Sequence, residues 1–119
     1  MIAETTTRAG KEGEEIAVRY LQDMGFTILE TNYRFRRGEI DIIMRDGEYL
    51  VFCEVKMRRN DNYGPPEYAV TPKKQQQIRK VAEGYLYERG IKDQACRFDV
   101  VAIQTMNGVT EIHYLRNAF

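Results

Sequence analysis

The chain has 119 residues, of which 43% are hydrophobic and 30% are charged, and its formal net charge is zero. This length supports one hydrophobic core but not two, and the composition is that of a folded domain rather than a disordered chain. No apolar stretch reaches the length of a membrane span and the N-terminus has no apolar export signal, which predicts a cytoplasmic protein. We expect residues 1–7 to fray and residues 8–119 to form a single domain.

The first half of the chain predicts a helix followed by three strands. Apolar residues recur at helical spacing over Arg8–Met24, and Gly25 supplies the stop signal. The predicted strands are Phe26–Asn32, Glu39–Met44 and Tyr49–Lys56, with a hairpin turn at Asp46-Gly47. Residues 60–66 then have the composition of a loop.

The second half predicts one further helix and two strands. Thr71 is the N-cap of this helix, Pro72 is its first residue, and Gly90 ends it. Its expected buried stripe consists of Ile78, Val81, Ala82, Tyr85 and Leu86. The last strands are Phe98–Thr105 and Val109–Leu115. The order αβββαββ indicates an α/β domain.

Charged residues interrupt the apolar faces of the second and third strands. Glu54 and Lys56 continue the face of the third strand that begins with Leu50 and Phe52, where packing alone would favour aliphatic residues. An unpaired buried charge costs on the order of several kcal/mol, so these groups need a partner or a metal ion.

The second strand shows the same interruption. We expect Ile40, Ile42 and Met44 on one of its faces, and Glu39 and Asp41 with Ile43 on the other. Two acids therefore share a face of the second strand with the apolar Ile43.

The register between these strands decides whether the two acids meet. A two-residue turn would set Asp41 opposite Phe52 and diagonally next to Glu54, whereas a four-residue loop over Asp46–Tyr49 would set it directly opposite Glu54. Both alternatives keep Asp41, Glu54 and Lys56 on one face, and a three-residue loop would not.

Two adjacent carboxylates repel each other and favour a cation between them. Mg²⁺ binds few carboxylates, keeps several waters and accepts phosphate oxygens, which suits Asp41 and Glu54. Lys56 would then hold a water or a scissile phosphate. The alternative is a salt bridge between Lys56 and either acid, and spacing alone favours neither.

Basic residues are clustered although the chain is neutral. The clusters are Arg34, Arg36 and Arg37, then Lys56, Arg58 and Arg59, then Lys73, Lys74, Arg79 and Lys80. Lys74 and Gln75 begin the stripe of the second helix that faces the sheet. Clustered bases are typical of phosphate-binding surfaces, and solvated faces produce them as well. Our candidate nucleic-acid-binding residues are Arg36, Arg37, Arg58, Lys74 and Gln75.

The cysteines and the histidine predict no further site. Cys53 lies in an apolar run, and neither it nor Cys96 has a second cysteine or histidine at ligand spacing. His113 alone cannot build a histidine-rich zinc site. Asp99, which interrupts a late apolar run, is interpreted as structural.

Four segments resemble, in order, the successive blocks of the YraN-like family of small uncharacterised bacterial proteins. They lie between about Gly10 and Leu86 and read GKEGEEIAVRYLQDMGF, TNYRFRRGEIDII, VFCEVKMRR and YGPPEYAVTPKKQQQI. A wider resemblance, to the D…ExK core of the PD-(D/E)XK nuclease superfamily, is carried by GEIDII followed by FCEVKMR. That superfamily includes restriction endonucleases and archaeal Holliday-junction resolvases.

The wider resemblance implies a restriction-endonuclease-like fold, in which helices flank a central mixed sheet. In the superfamily the aspartate and the ExK glutamate bind Mg²⁺, and the lysine assists the nucleophilic water. These roles carry over to Asp41, Glu54 and Lys56. Ile40 stands where many members have proline, at a position that varies widely among them.

Resolvase-like relatives also use a glutamate from the first helix, for which Glu14 and Glu15 compete. Glu14 shares a helical face with Ala17 and Leu21, whereas Glu15 precedes Arg19 by one turn, as in an ordinary surface pair. The resemblance therefore implies Glu14 as a third metal ligand.

These observations give one leading hypothesis and one alternative. The leading hypothesis is an endonuclease dependent on Mg²⁺ or Mn²⁺ that hydrolyses phosphodiester bonds in DNA, including branched or junction DNA, as a homodimer. The alternative is a non-catalytic nucleic-acid-binding or adaptor protein that retains the nuclease fold. The presence of all three core residues favours the enzyme.

Overall fold

The computed structural model describes residues 2–58 and 69–119, with side chains from residue 11 onward. Within these ranges the elements follow the predicted order αβββαββ. They are α1 (Ile2–Asp23), β1 (Thr27–Phe35), β2 (Gly38–Asp46), β3 (Tyr49–Arg58), α2 (Pro72–Arg89), β4 (Cys96–Met106) and β5 (Val109–Leu115). The predicted loop at residues 60–66 lies outside the described residues.

The strands form one mixed sheet in the order β1-β2-β3-β4-β5. β3 and β4 are parallel, whereas the other neighbours are antiparallel. Parallel neighbours need a crossover connection, and here the segment between β3 and β4 contains α2. The result is an α/β fold with a five-stranded mixed sheet and two helices, compatible with the expected restriction-endonuclease-like architecture.

Each face of the sheet packs against one helix. The α2 side includes Leu50, Phe52, Ile78, Val81 and Tyr85. The α1 side includes Ala17, Leu21, Val51 and Cys53. The central strand β3 is therefore buried on both faces over its first half, as its apolar sequence predicted.

The helix ends largely follow the predicted signals. Thr71 caps α2 by accepting a hydrogen bond from the Lys74 N–H at 3.2 Å, and the left-handed Gly90 ends the helix. α1 ends before Gly25, as predicted, but begins at Ile2 rather than Arg8. Fraying of residues 1–7 stays a prediction. None of the helices in the described ranges is long and apolar enough to cross a membrane.

The hairpin between β2 and β3 has a different turn from the predicted one. Asp46 pairs with Tyr49, so the turn residues are Gly47 and Glu48 rather than Asp46 and Gly47. Gly47 has a φ of 57°, a value that type II′ turns require at their first central residue. This register is the one that the four-residue loop over Asp46–Tyr49 predicted. Continued beyond the pair of Ile42 with Cys53, it sets Asp41 opposite Glu54.

The predicted alternation of faces along β2 is wrong at Ile40. Ile40 packs with Ile43 on the α2 side of the sheet, whereas Ile42 and Met44 lie on the α1 side. Two residues on one face are therefore separated by three positions rather than two, which requires an irregularity near Asp41.

β1 is irregular at two places: its register with β2 shifts between Ile28 and Glu30, and Asn32 lies across from Asp41 in a left-handed conformation. Asn32 has a φ of 54°, and the ladder passes from the pair Thr31–Ile42 to the pair Tyr33–Ile40 on either side of it. A left-handed residue inside a strand shifts the direction of neighbouring side chains, and asparagine tolerates that conformation better than most residues. β1 consequently continues to Phe35 instead of ending at Asn32.

Candidate metal site

The carboxyl groups of Asp41 and Glu54 lie in hydrogen-bonding contact. Asp41 Oδ2 also accepts a hydrogen bond of 2.8 Å from the backbone N–H of Val55, which fixes the aspartate against β3. The Glu54 side chain is only 13% exposed. The structure thus brings together the two acids that the strand faces predicted to converge.

The protonation of this pair differs from that of ordinary acids. Burial, together with the neighbouring charge of Asp41, raises the pKa of Glu54 to about 8, although Lys74 and Lys56 oppose the shift. Two carboxyl groups can share a hydrogen bond only if one carries a proton. At neutral pH the pair therefore keeps a proton, and full ionisation requires additional positive charge.

Two lysines flank the pair on the α2 side. Lys74 Nζ lies 3.8 Å from Glu54 Oε2. The Lys56 ammonium instead donates a hydrogen bond to the carbonyl of Ala69, shortly before α2 begins. The salt bridge to Glu54 that was considered for Lys56 is thus made by Lys74. Lys56 instead binds the backbone carbonyl of Ala69.

Glu14 lies on the other side of Asp41, on α1. Burial raises the pKa of its side chain, a 2.6 Å hydrogen bond from Asn32 Nδ2 opposes that shift, and the charge of Asp41 adds to it. Gly13 allows this approach, because a Cβ there would stand 2.8 Å from Met57 Sδ on β3. Glu15 is exposed, so Glu14 is the helix acid nearer the pair.

Glu14 does not complete a three-residue cluster with the pair. Across the described side chains there is no group of three His, Cys, Asp or Glu residues that could hold a metal ion. The donors in mutual contact are two carboxylates, too few for a closed zinc site. They fit Mg²⁺ or Mn²⁺, because Mg²⁺ commonly uses one or two carboxylates and completes its coordination with waters and phosphate oxygens.

The other candidate nucleic-acid-binding residues lie in different places. Arg36 and Arg37 are exposed in the turn between β1 and β2, and Arg58 ends β3. The Gln75 amide donates a 2.8 Å hydrogen bond to the Val70 carbonyl, which supports the start of α2. Among the described contacts of these candidates, only that of Lys74 reaches the acid pair.

Asp99 is structural, as its place in an apolar strand indicated. It is fully buried and accepts hydrogen bonds from Arg97 at 3.0 Å, from the Asn117 N–H at 2.8 Å and from the Tyr114 hydroxyl. Arg97 also binds Asp46 at 2.8 Å, which ties β4 to β2. The strand pattern indicated Asp99 but not Tyr114 and Asn117, because these partners come from β5 and from the C-terminal segment.

The mixed sheet, its two covering helices and the carboxylate pair on adjacent central strands define an α/β domain with a candidate divalent-cation site. The chain belongs to the uncharacterised protein family UPF0102, whose model matches residues 13–103. This finding confirms the YraN-like resemblance, and the matched region contains all the candidate metal ligands.

Several similar proteins carry the same family name. A UPF0102 protein of Geotalea daltonii is 51% identical over 111 residues, which cover 92% of this chain and 87% of the relative. One from Syntrophus aciditrophicus is 48% identical over 112 residues, covering 94% and 88%. One from Dehalococcoides mccartyi is 39% identical over 109 residues, covering 92% and 90%.

Proposed function

We propose that this protein is a cytoplasmic, metal-dependent nuclease of the PD-(D/E)XK type that hydrolyses phosphodiester bonds in DNA, including branched or junction DNA. The observation that carries the proposal is the contact between the Asp41 and Glu54 carboxyl groups, which lie on the adjacent strands β2 and β3. Structural acids inside a sheet are normally paired one to one with cations, whereas here two carboxyl groups contact each other beside Lys74.

The chain's residues have distinct parts in this reaction. A bound divalent cation would polarise a phosphate oxygen and lower the pKa of a water. Asp41 and Glu54 would hold that cation, and the Val55 N–H already orients Asp41 by its 2.8 Å hydrogen bond. Lys56 would orient the attacking water and offset charge that develops on the phosphate.

Lys74 has a different role, which follows from its position 3.8 Å from Glu54. Without a metal ion its ammonium partly offsets the charge of that carboxylate. Once a cation occupies the acids, the same ammonium can turn towards a phosphate at the site. Lys74 would thus contact Glu54 in the metal-free protein and a substrate phosphate in the metal-bound protein.

The direct experiment is a cleavage assay with end-labelled linear, flapped and four-way DNA, with Mg²⁺ or Mn²⁺ and with chelator. We expect metal-dependent cleavage that is lost in Asp41→Asn, Glu54→Gln and Lys56→Met, and kept in the surface variant Glu111→Gln. Equal cleavage by the wild type and the core variants would contradict the proposal, as would a failure to cut any of these substrates with either metal.

One set of observations favours the non-catalytic alternative. Glu54 already has a cationic neighbour in Lys74, and the described side chains form no three-residue metal group. In this alternative the protein binds nucleic acid through its basic residues, so chelator leaves binding unchanged and no strand is cut. Binding that is unaffected by chelator, by Asp41→Asn and by Glu54→Gln, without cleavage, would favour this function.

We further propose that the protein acts on DNA as a homodimer. A net-neutral chain offers few phosphate contacts, and affinity for nucleic acid rises with the number of phosphates neutralised. Two-fold pairing would double these contacts and supply one acid pair for each strand of a junction.

A further inference from the structure

A groove lies between α2 and the turn that joins β1 to β2. Its volume is about 840 Å³, within the range of about 300–1,000 Å³ that is usual for ligand pockets. The helix side presents Gln77, Lys80, Gly84 and Tyr87, which recur every three or four positions and therefore share one face of α2.

The floor of the groove is a contact that requires glycine. A Cβ at Gly84 would stand 2.4 Å from the Phe35 ring, so only glycine lets the hairpin and the helix meet at this distance. The contact holds the β1–β2 turn against α2 and fixes the two walls of the groove relative to each other.

Basic side chains outnumber acidic ones in the lining of the groove. Arg36, Arg37 and Lys80 are exposed and make no ion pair with any described residue. The two acids in the lining are Glu83 and Glu88, and Glu88 accepts a hydrogen bond from the Tyr33 hydroxyl. The surplus of cations suits an anionic ligand.

An exposed aromatic ring stands at the same groove. Tyr87 is 85% exposed, which leaves almost its whole ring available for contact. Exposed aromatic rings beside cations are typical of proteins that bind single-stranded nucleic acid, because the ring stacks on a base while the cations bind phosphates.

We propose that this groove binds a single-stranded segment of nucleic acid, with phosphates on Arg37 and Lys80 and a base stacked on Tyr87. The inference rests on the proposed nuclease function and deepens it, because it makes a strand with unpaired bases part of the substrate. Arg36 contributes charge at the entrance, where its guanidinium lies 5.4 Å from the centre of the Phe35 ring.

The groove and the acid pair lie at different points along α2. Lys74 contacts Glu54 from the first turn of α2, and Tyr87 follows thirteen positions later on the same helix. A rise of 1.5 Å per residue separates these two points by about 20 Å. A strand held at Tyr87 and Lys80 would have to span this distance to reach the candidate cleavage site.

A duplex fits these features less well than a single strand. In a duplex the base faces are stacked on one another, so Tyr87 would contact only the backbone. A single strand exposes its base faces to the ring and its phosphates to Arg37 and Lys80 at the same time.

The test measures binding without cleavage, by fluorescence anisotropy of a labelled oligothymidylate and of a duplex of equal length, in chelator and at several salt concentrations. We expect the single strand to bind more tightly than the duplex. Arg37→Ala and Lys80→Ala should each weaken binding several-fold and make the salt slope shallower by about 0.7. Matched exposed controls are Lys92→Ala and Tyr49→Ala, which lie outside the groove lining.

Tyr87 separates stacking from simple charge attraction. Tyr87→Ala should weaken single-strand binding about 5-fold or more, and Tyr87→Phe should restore it, because stacking on a base contributes roughly 1–3 kcal/mol. An unchanged affinity in Tyr87→Ala, an equal loss in the two control variants, equal affinity for duplex, or no measurable binding would each overturn the proposal.

The outcome is distinguishable from failure of the nuclease proposal. Metal-dependent cleavage that is lost in Asp41→Asn but unaffected by the groove variants would support the nuclease proposal and contradict the groove proposal. Single-strand binding that depends on Tyr87 and Lys80, with no metal-dependent cleavage, would support the groove proposal and contradict the nuclease proposal.

Discussion

At the scale of single residues, Glu54 couples the stability of the fold to pH. Burial and the charge of Asp41 raise its pKa from the ordinary 4.5 to about 8. The folded protein therefore binds this proton more tightly than the unfolded chain does. The stabilisation linked to that proton is fully present below 4.5 and is lost as the pH rises through about 8.

Glu54→Gln removes this dependence, which gives the first prediction. Relative to the variant, the metal-free wild type should lose on the order of a few kcal/mol in free energy of unfolding between about pH 4.5 and pH 8, since one pKa unit corresponds to about 1.4 kcal/mol. Urea unfolding of both proteins across this interval measures the difference. Parallel stability curves would show that Glu54 is ionised in the folded state.

Asp41 gives a second prediction, based on two variants of different shape. Asp41→Asn keeps an oxygen that can accept the Val55 N–H and removes the charge next to Glu54, so the fold should be as stable as the wild type or more so. Asp41→Ala leaves that N–H without its acceptor and should cost about 1–3 kcal/mol. Thermal melts without metal compare them, and a large loss in both would make Asp41 a structural ion-pair member.

The sequence was informative about these acids but not about their partners. Alternation, together with a two- or four-residue hairpin loop, predicted that Asp41 and Glu54 share one face of the sheet. Which lysine meets Glu54 depends on how α2 crosses the sheet. Lys56 is adjacent in the strand but binds the Ala69 carbonyl, and Lys74 reaches the acid from the helix.

At the scale of elements, one contact that positions α2 is the approach of Gly84 to the Phe35 ring of the β1–β2 hairpin. Gly84→Ala should destabilise the protein by about 1–3 kcal/mol, because the new Cβ would stand 2.4 Å from the Phe35 ring. This loss would occur although alanine favours helix over glycine by about 1 kcal/mol. Chemical unfolding measures it, with the exposed helix variant Gln76→Ala as the control.

A second substitution tests the cause of that loss. Phe35→Leu combined with Gly84→Ala should recover part of the stability, because a smaller side chain leaves room for the methyl group. Additive losses in the double variant would show that the ring is not what excludes a side chain at position 84.

The elements themselves were largely predictable, and the exceptions have local causes. The turn signals of α2 gave both of its ends, because Thr71-Pro72 and Gly90 act on the adjacent backbone. β1 was predicted to stop at Asn32. Pairing with β2 continues past Asn32 instead, as far as Phe35, and Ile40 lies on the α2 side of the sheet.

At the scale of the whole molecule, the proposed homodimer is tested by sedimentation with and without a four-way DNA junction. We expect two chains on one junction and an affinity that falls steeply with salt, because doubling the basic surface doubles the phosphates neutralised. A one-to-one complex whose affinity barely changes with salt would contradict this expectation.

The sequence predicted the layered architecture and the acid pair but not the groove beside α2. Element order and crossover rules restrict the sheet to few arrangements. The groove arises where a turn after β1 meets a helix almost fifty residues later, and no local pattern encodes that distance. Lys80 and Tyr87 share a face of α2, but their proximity to Arg37 is visible only in the folded chain.

The central claim is that Asp41 and Glu54 together hold a divalent cation, and calorimetric titration of the purified protein with Mn²⁺ tests it most directly. We expect one Mn²⁺ per chain in the wild type, with binding that strengthens as the pH rises towards 8 because the ion displaces the proton on Glu54. Asp41→Asn and Glu54→Gln should each abolish this binding, and Glu14→Gln should weaken it. Equal Mn²⁺ affinity in the wild type and in both core variants, or no binding to any of them at millimolar Mn²⁺, would contradict the account.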